Sequence, residues 1–199
     1  MRRRRTLITP PLDWPTFCQP VPPPLLPVLA ERGGTQLKTP RPAVLIDSRE
    51  QHPFDFTRFS GWFASTERRA LKLGDYSIVG LEHVCVVERK GFSDLVHSCT
   101  SDRQVFVQRL QRMAGYPHRL LVITSGLSQI KSRYFQTWAD PNRILQSLLA
   151  MLVGLQVPFV CTDTHELGEE LVASYLYQVH LYHWLESNDY GRFLCDHDL

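Results

Sequence analysis

The chain has 199 residues, of which 43% are hydrophobic and 21% charged, and its formal net charge is +2. This composition is typical of a globular protein with one domain of moderate size, and no apolar stretch reaches the eighteen or so residues that cross a bilayer. The five cysteines form no Cys-x-x-Cys pair, which argues against structural zinc and a disulfide framework. We therefore expect no membrane partner and an intracellular location, in the cytoplasm or nucleoid if the source is bacterial or viral and in the nucleus if it is eukaryotic.

Residues 1–42 predict a largely extended tail, because prolines recur there without a period and few core residues accompany them. Four of the positive charges lie at Arg2–Arg5, so the remainder of the chain is close to neutral. Any nucleic-acid binding by the folded part must then use local patches. The tail itself is either a contact segment for nucleic acid or a partner, or a solvated lead.

Residues 43–199 predict the folded domain, which begins with short strands. Ala43–Ile46 is a buried run that ends at Asp47. Further strands are predicted over 67–73, 76–79 and 83–90, with turns between them. Together these segments predict an antiparallel meander.

The second half of the domain alternates helices with strands. Ser93 is the expected N-cap of one short helix, and Asp163 is the expected start of a long final helix. Such alternation predicts parallel strands with right-handed crossovers, and hence an α/β fold with a central mixed sheet flanked by helices. The other elements are a helix over 102–114, a strand over 119–124, a helix over 140–154 and a strand over 157–161.

Three charged motifs lie near the predicted strand ends: Asp47-Ser48-Arg49-Glu50, Gly74-Asp75 and Glu88-Arg89-Lys90. Side chains alternate along a strand, so Glu88 and Lys90 share a face and Arg89 points the other way. Each motif alone is readily explained as a turn, a solvated edge or a surface ion-pair cluster. A cluster of carboxylates beside buried valines is costly without a cation, so their joint occurrence indicates a metal-dependent phosphodiesterase site.

In this combination the chain resembles the nuclease domain of the XPF-type structure-specific endonucleases, the family that includes archaeal Hef. The family signature is Gly-Asp, a spacer, Glu-Arg-Lys, three residues and Asp, matched by Gly74-Asp75, Glu88–Lys90 and Asp94. Three further positions match the family at Ser98, Arg103 and Gln108, whereas Asp102 replaces the usual glycine. The resemblance covers roughly 43–185 and implies a restriction-endonuclease-like fold, here as a stand-alone domain without the helix-hairpin-helix module.

The resemblance also implies roles for individual residues. Asp75 and Glu88 are the expected ligands of Mg²⁺ or Mn²⁺, with Asp47 as a further ligand, and Lys90 is expected to position water or stabilise charge on the phosphate. Arg49 and Asp94 complete the expected catalytic set. Supporting roles, in which a side chain orients a catalytic group, fall to Glu50, Arg89 and Gln108.

The partner implied by the resemblance is DNA, branched or partly single-stranded. The expected DNA-contacting side chains are basic groups near the site: Arg49, Arg68, Arg69, Lys72, Arg103, Arg109 and Arg112, with Lys131 and Arg133 in the next loop. The late helices of this family pair, so a homodimer or heterodimer is expected through the C-terminal helices.

The expected activity is metal-dependent hydrolysis of DNA phosphodiester bonds at branched, flap or fork structures, in repair, recombination or replication. Two alternatives stay open: a non-catalytic DNA-binding scaffold subunit of a nuclease heterodimer, and a restriction-type nuclease on the same fold.

Overall fold

The computed structural model describes residues 39–132 and 140–188, whose strands form one mixed sheet. The strands follow the spatial order β2-β1-β3-β4-β5-β6. The arrangement confirms the α/β class and the mixed sheet expected from the sequence. The strands are β1 (Ala43–Asp47), β2 (Ser65–Arg69), β3 (Tyr76–Ile78), β4 (Cys85–Lys90), β5 (His118–Ile123) and β6 (Phe159–Cys161).

The antiparallel meander predicted for the first half is wrong at β2. That strand runs parallel to β1 at the edge of the sheet, and only β3 is antiparallel to its neighbours β1 and β4. A strand was predicted over 67–73, where Leu71 and Leu73 alternate with polar residues, but β2 ends at Arg69. Both leucines are indeed buried, but they lie in an irregular segment after β2. The parallel pairing of β4, β5 and β6 is as predicted.

Helices cover both faces of the sheet. They are α1 (Phe92–Cys99), α2 (Arg103–Met113), α3 (Leu127–Lys131), α4 (Pro141–Leu155) and α5 (His165–Ser187). On one face α5 packs over the aromatic residues that follow β1. On the other face α1, α2 and α4 share a second apolar core.

Two helix starts differ from the sequence prediction. Gly91, not Ser93, precedes α1. The side-chain oxygen of Thr164, not Asp163, accepts the cap hydrogen bond from the Leu167 N–H of α5. Threonine at this position satisfies a backbone donor that the helix leaves unpaired.

The segment after β5 was predicted to be a loop that contains Lys131 and Arg133. Helix α3 was not predicted, and Lys131, expected in a loop, is its last residue. The prediction for Arg133 lies outside the described residues.

A buried glutamate fastens the segment after β1 to α5. Glu169 accepts hydrogen bonds from the Phe56 N–H at 2.7 Å and from Arg58 Nε at 2.9 Å. Phe56 adopts φ 58°, a left-handed backbone conformation that is uncommon for a bulky residue. The bond to Glu169 therefore holds a strained turn, with a short 3-10 helix at Thr57–Phe59, beneath the C-terminal helix.

None of the helices within 39–132 and 140–188 has the length and apolar character needed to cross a membrane. The predicted extended tail falls almost wholly outside the described residues and stays a prediction.

Candidate active site

The charged motifs meet at one end of the central strands β1, β3 and β4. Asp47 ends β1, Lys90 ends β4, and Asp75 immediately precedes β3, which runs in the opposite direction. Because β3 is antiparallel, its start lies beside the ends of β1 and β4. These residues line a cleft of about 270 Å³, which Asp94 and Arg109 also border. Sequence motifs that are well separated along the chain therefore form one site.

A glycine allows the Asp75 backbone to approach β4 closely. Gly74 has φ +76°, and a Cβ atom built on it would lie 2.4 Å from Val86 Cγ2 and 2.8 Å from the Val87 carbonyl oxygen. Real side chains do not tolerate such contacts, so only glycine fits here. The adjacent Asp75 N–H then donates to the Val87 carbonyl at 2.7 Å. This explains physically why glycine precedes the aspartate.

Asp75 is a buried carboxyl with an unusual affinity for a proton. Burial, followed by the nearby negative charge of Glu88, raises the pKa of Asp75 to about 7, although the Arg89 N–H donates to its Oδ2 at 2.7 Å. Two carboxylates held together in a low-dielectric site disfavour each other's charged form. A bound cation would relieve that conflict.

Glu88 is fully buried and is neutralised on one oxygen only. Its Oε1 accepts from Lys90 Nζ at 2.8 Å and from Arg109 Nη1 at 2.5 Å. Its Oε2 is also buried but has no hydrogen-bond partner among the residues that the structure describes. An orphaned carboxylate oxygen is costly in a protein interior and marks a position where a hydrogen-bond donor or a cation would bind.

Asp47 is held by its neighbour Arg49. The guanidinium donates from Nε to Oδ1 at 3.0 Å and from Nη2 to Oδ2 at 2.5 Å, and the Arg49 N–H adds a bond to Oδ1. The hydrogen bonds from the Arg49 side chain lower the pKa of Asp47. Both Asp47 oxygens are thereby occupied, and Arg49 also donates to the Leu71 carbonyl.

Arg89 lies on the opposite face of β4 from Glu88 and Lys90, as strand alternation predicts, and it borders the cleft together with Glu50. Its Nη2 donates to Glu50 Oε1 at 2.6 Å, and both side chains are at least nine-tenths buried. The ion pair links β4 to the segment after β1. Glu50 thus contacts an arginine and not Lys90.

The other predicted residues border the site to different degrees. Asp94 is exposed in the first turn of α1 and lines the cleft, whereas Gln108 is exposed on α2 and does not line it. One guanidinium nitrogen of Arg103 is buried without a partner within the described ranges. The remaining basic residues do not line this cleft: Arg68 donates to the Glu50 carbonyl, Arg112 donates to the Lys72 carbonyl, and Arg69 pairs with Glu82. Arg69 and Lys72 line a separate pocket.

The donor set fits a divalent metal only in part. Within 39–132 and 140–188, no group of three or more His, Cys, Asp or Glu side chains is assembled as a metal centre. Asp75 and the free oxygen of Glu88 fit, because both are buried oxygen ligands that lack a full complement of positive charge. Asp47 fits only if Arg49 releases it. The described site is therefore a two-carboxylate centre closed by cationic side chains.

The ion pair between Arg109 and Glu88 was missed by the sequence analysis, which assigned Arg109 to a DNA-contacting track. A signal was available: Arg109 lies beside Phe106, Leu110 and Met113, the apolar stripe that α2 buries against the sheet. An arginine at the border of such a stripe extends its stem along the core and carries its charge to the nearest carboxylate.

The mixed six-stranded sheet with helices on both faces has the restriction-endonuclease-like fold. A comparison with protein families matches residues 46–175 to the ERCC4 domain. The chain belongs to the ERCC4-domain family, which confirms the resemblance to XPF-type nuclease domains and places the protein among DNA nucleases of repair type.

Solved structures agree on the fold. The chain is similar to XPF from Aeropyrum pernix, with 18% identity and a TM-score of 0.56 over 75% of this chain and 70% of that one. It is also similar to XPF from Aeropyrum pernix in complex with DNA, with 21% identity and a TM-score of 0.56 over 71% of this chain and 66% of that one. A search of curated proteins finds none that matches.

Proposed function

We propose that the protein is a metal-dependent endonuclease that hydrolyses DNA phosphodiester bonds at branched, flap or fork structures. The observation that carries the proposal is the pair of buried carboxylates, Asp75 and Glu88, with Lys90 bonded to Glu88, in a cleft of an ERCC4 domain. Two buried carboxylates held side by side destabilise a fold, and a cation bound between them would relieve that cost. The similar XPF structure that contains DNA supports DNA as the partner.

Asp75 and Glu88 would hold Mg²⁺ or Mn²⁺, with Asp47 joining after Arg49 turns toward a phosphate. The cation would supply Lewis-acid polarisation of the phosphate and a more acidic water. Lys90 is anchored at 2.8 Å to Glu88, with its ammonium over the Phe106 ring, so its proton donors have a fixed position at the cleft. There it orients a water or stabilises the negative charge that develops on the phosphate. Arg49, whose side chain is largely exposed, is suited to bidentate binding of a phosphate.

A non-catalytic DNA-binding subunit is the second candidate. It is favoured by one observation: the carboxylates of Asp47 and Glu88 already carry ion pairs with Arg49 and with Lys90 and Arg109. A scaffold has no need of a metal, and this charge pairing would suffice for its stability. The restriction-type alternative has no comparable observation in its favour.

The test is cleavage of labelled flap, fork and linear duplex DNA with Mg²⁺ or Mn²⁺, using the wild-type protein, Asp75→Ala and Lys90→Ala. The expected result is metal-dependent cutting of branched substrates that both substitutions reduce by at least about a hundredfold. Gln111→Ala, which is exposed on α2 and outside the cleft, is the control and should cut normally. Intact DNA binding without any cutting would favour the scaffold, and equal cutting of linear duplex would favour the restriction-type reading.

Pairing through the C-terminal helices and an intracellular location remain proposals. Much of the apolar surface of α5 is already buried against the core, so a dimer would have to use the half-buried ring edges of Tyr175, Tyr182 and Trp184. Light scattering across a wide concentration range measures this directly. A constant monomer mass would rule out the homodimer.

A further inference from the structure

The proposed function leaves one contact unexplained, the bond from Arg109 to Glu88. Lys90, on the same strand as Glu88, already bonds to Oε1, and Arg109 reaches that same oxygen from α2 at 2.5 Å. The Arg109 side chain is 37% exposed, whereas Glu88 is fully buried. The arginine therefore approaches the carboxylate from the solvent side of the cleft, the side from which a metal ion and a phosphate would arrive.

We propose that Arg109 is an internal competitor for the divalent cation, and that a DNA phosphate draws it away from Glu88. The inference rests on the proposed nuclease function and adds an order of events to it. In the free protein the guanidinium neutralises Glu88. When DNA binds, the phosphate takes the guanidinium and the carboxylate becomes available to the metal.

The local charge balance supports the competition. Without metal, the buried Glu88 carboxylate is already paired with the positive charges of Lys90 and Arg109, and Asp75 lines the same cleft as these two cations. A divalent cation added to this set makes the cleft strongly positive, and like charges at such distances repel strongly in a partly buried site. Moving the Arg109 guanidinium away from Glu88 lowers that excess positive charge by one unit. Arg109 makes a single hydrogen bond to Glu88, and a phosphate can accept two from one guanidinium, so the exchange costs the arginine no hydrogen bond.

The geometry also lets Arg109 leave without disturbing the fold. Its backbone belongs to a regular helix, and its neighbours Phe106 and Leu110 are buried, so α2 stays in place when the side chain turns. Arg112 lies one turn further along the helix, where its side chain donates to the Lys72 carbonyl and not to Glu88. Binding of either the metal or the DNA separates Arg109 from Glu88, which favours binding of the other. Metal and DNA binding are therefore positively coupled.

The first experiment measures Mn²⁺ affinity of the free protein by electron paramagnetic resonance, for wild type, Arg109→Gln, Arg109→Lys and Arg112→Gln. We expect Arg109→Gln to bind Mn²⁺ roughly fivefold or more tightly than wild type, within the usual range of such couplings. Arg109→Lys keeps a charge within reach and should bind more weakly than Arg109→Gln. Arg112→Gln removes a charge from the same helix without touching Glu88, and its Mn²⁺ affinity without DNA should equal that of wild type.

The second experiment repeats the titration with a short duplex of phosphorothioate DNA, whose strands are recovered and checked by gel to be intact. DNA should raise the Mn²⁺ affinity of wild type several times more than that of Arg109→Gln. Equal or weaker Mn²⁺ binding by Arg109→Gln, or the same DNA effect in both proteins, would overturn the inference. Mn²⁺ binding as expected in a protein that cuts no DNA would instead overturn the nuclease proposal alone. No Mn²⁺ binding to any variant would overturn both.

Discussion

Replacing Asp75 with asparagine should stabilise the metal-free protein at neutral and alkaline pH. The asparagine amide would keep an acceptor for the Arg89 N–H, which now bonds to Asp75 Oδ2 at 2.7 Å, and the change would remove a buried charge beside Glu88. The pKa of Asp75 is raised from 3.8 to about 7. That difference corresponds to roughly 4 kcal/mol between the two protonation states, an upper value for the gain.

The sign follows from proton binding. Between pH 4 and 7 the folded protein keeps the Asp75 proton that the unfolded chain has lost, so the wild-type free energy of unfolding falls as pH rises through this window. The stability that Asp75 contributes is fully present below its pKa in the unfolded chain, 3.8, and is lost above its pKa in the folded protein, about 7. The half-buried His180 has a lowered pKa, mainly because of desolvation, and therefore acts in the opposite direction. The difference between wild type and Asp75→Asn cancels the histidine and isolates the carboxyl.

The assay is urea unfolding in EDTA at pH 5, 6, 7 and 8 for both proteins. The stability advantage of Asp75→Asn should grow across this range, and Mg²⁺ added at pH 8 should stabilise wild type but not the variant. A pH-independent difference between the two proteins would refute the argument that burial and Glu88 raise this pKa. A difference that grows toward low pH would refute its sign.

Three further predictions concern stability and can be checked by chemical denaturation. Gly74→Ala should lower the free energy of unfolding by on the order of 3 kcal/mol, because the added Cβ would meet Val86 Cγ2 at 2.4 Å in a left-handed backbone. The control is Gly61→Ala, where a Cβ meets nothing within 4 Å. Equal losses of stability in the two variants would contradict the steric argument. Arg89→Met should lower the free energy of unfolding by about 3–5 kcal/mol, because Glu50 would stay buried without its cationic partner. Adding Glu50→Gln should recover much of that loss, and no recovery would contradict this explanation. Glu169→Gln should cost about 1–3 kcal/mol through weakened bonds to the Phe56 N–H and Arg58; an unchanged midpoint would show that the turn needs no such anchor.

The sequence predicted the parts of the site that depend on strand periodicity. Alternation along 83–90 placed Glu88 and Lys90 on one face and Arg89 on the other, and the ion pairs of the structure agree. The parallel β4–β5–β6 half was predictable because α2 and α4 lie between its strands. These features depend on local geometry and connection length.

The features that were predicted wrongly or missed depend mostly on contacts between distant segments. The edge position of β2 depends on how the aromatic residues of 54–63 pack under α5, which no local pattern records. The pairing of Arg109 with Glu88 joins residues 21 positions apart, on different elements, and only tertiary packing decides which carboxylate an arginine meets. Helix α3 spans five residues, too short for a periodic signal.

The open sheet has two edges, and each discourages the addition of a foreign strand. Every residue of β2 is exposed, and its charged run Glu67-Arg68-Arg69 would have to be stripped of water before another chain paired with it. At the opposite edge β6 offers only three residues, Phe159–Cys161. Short and charged edges oppose aggregation through intermolecular pairing. The fold can therefore present a row of carboxylates at one end of its strands while remaining resistant to amyloid-like association along their sides.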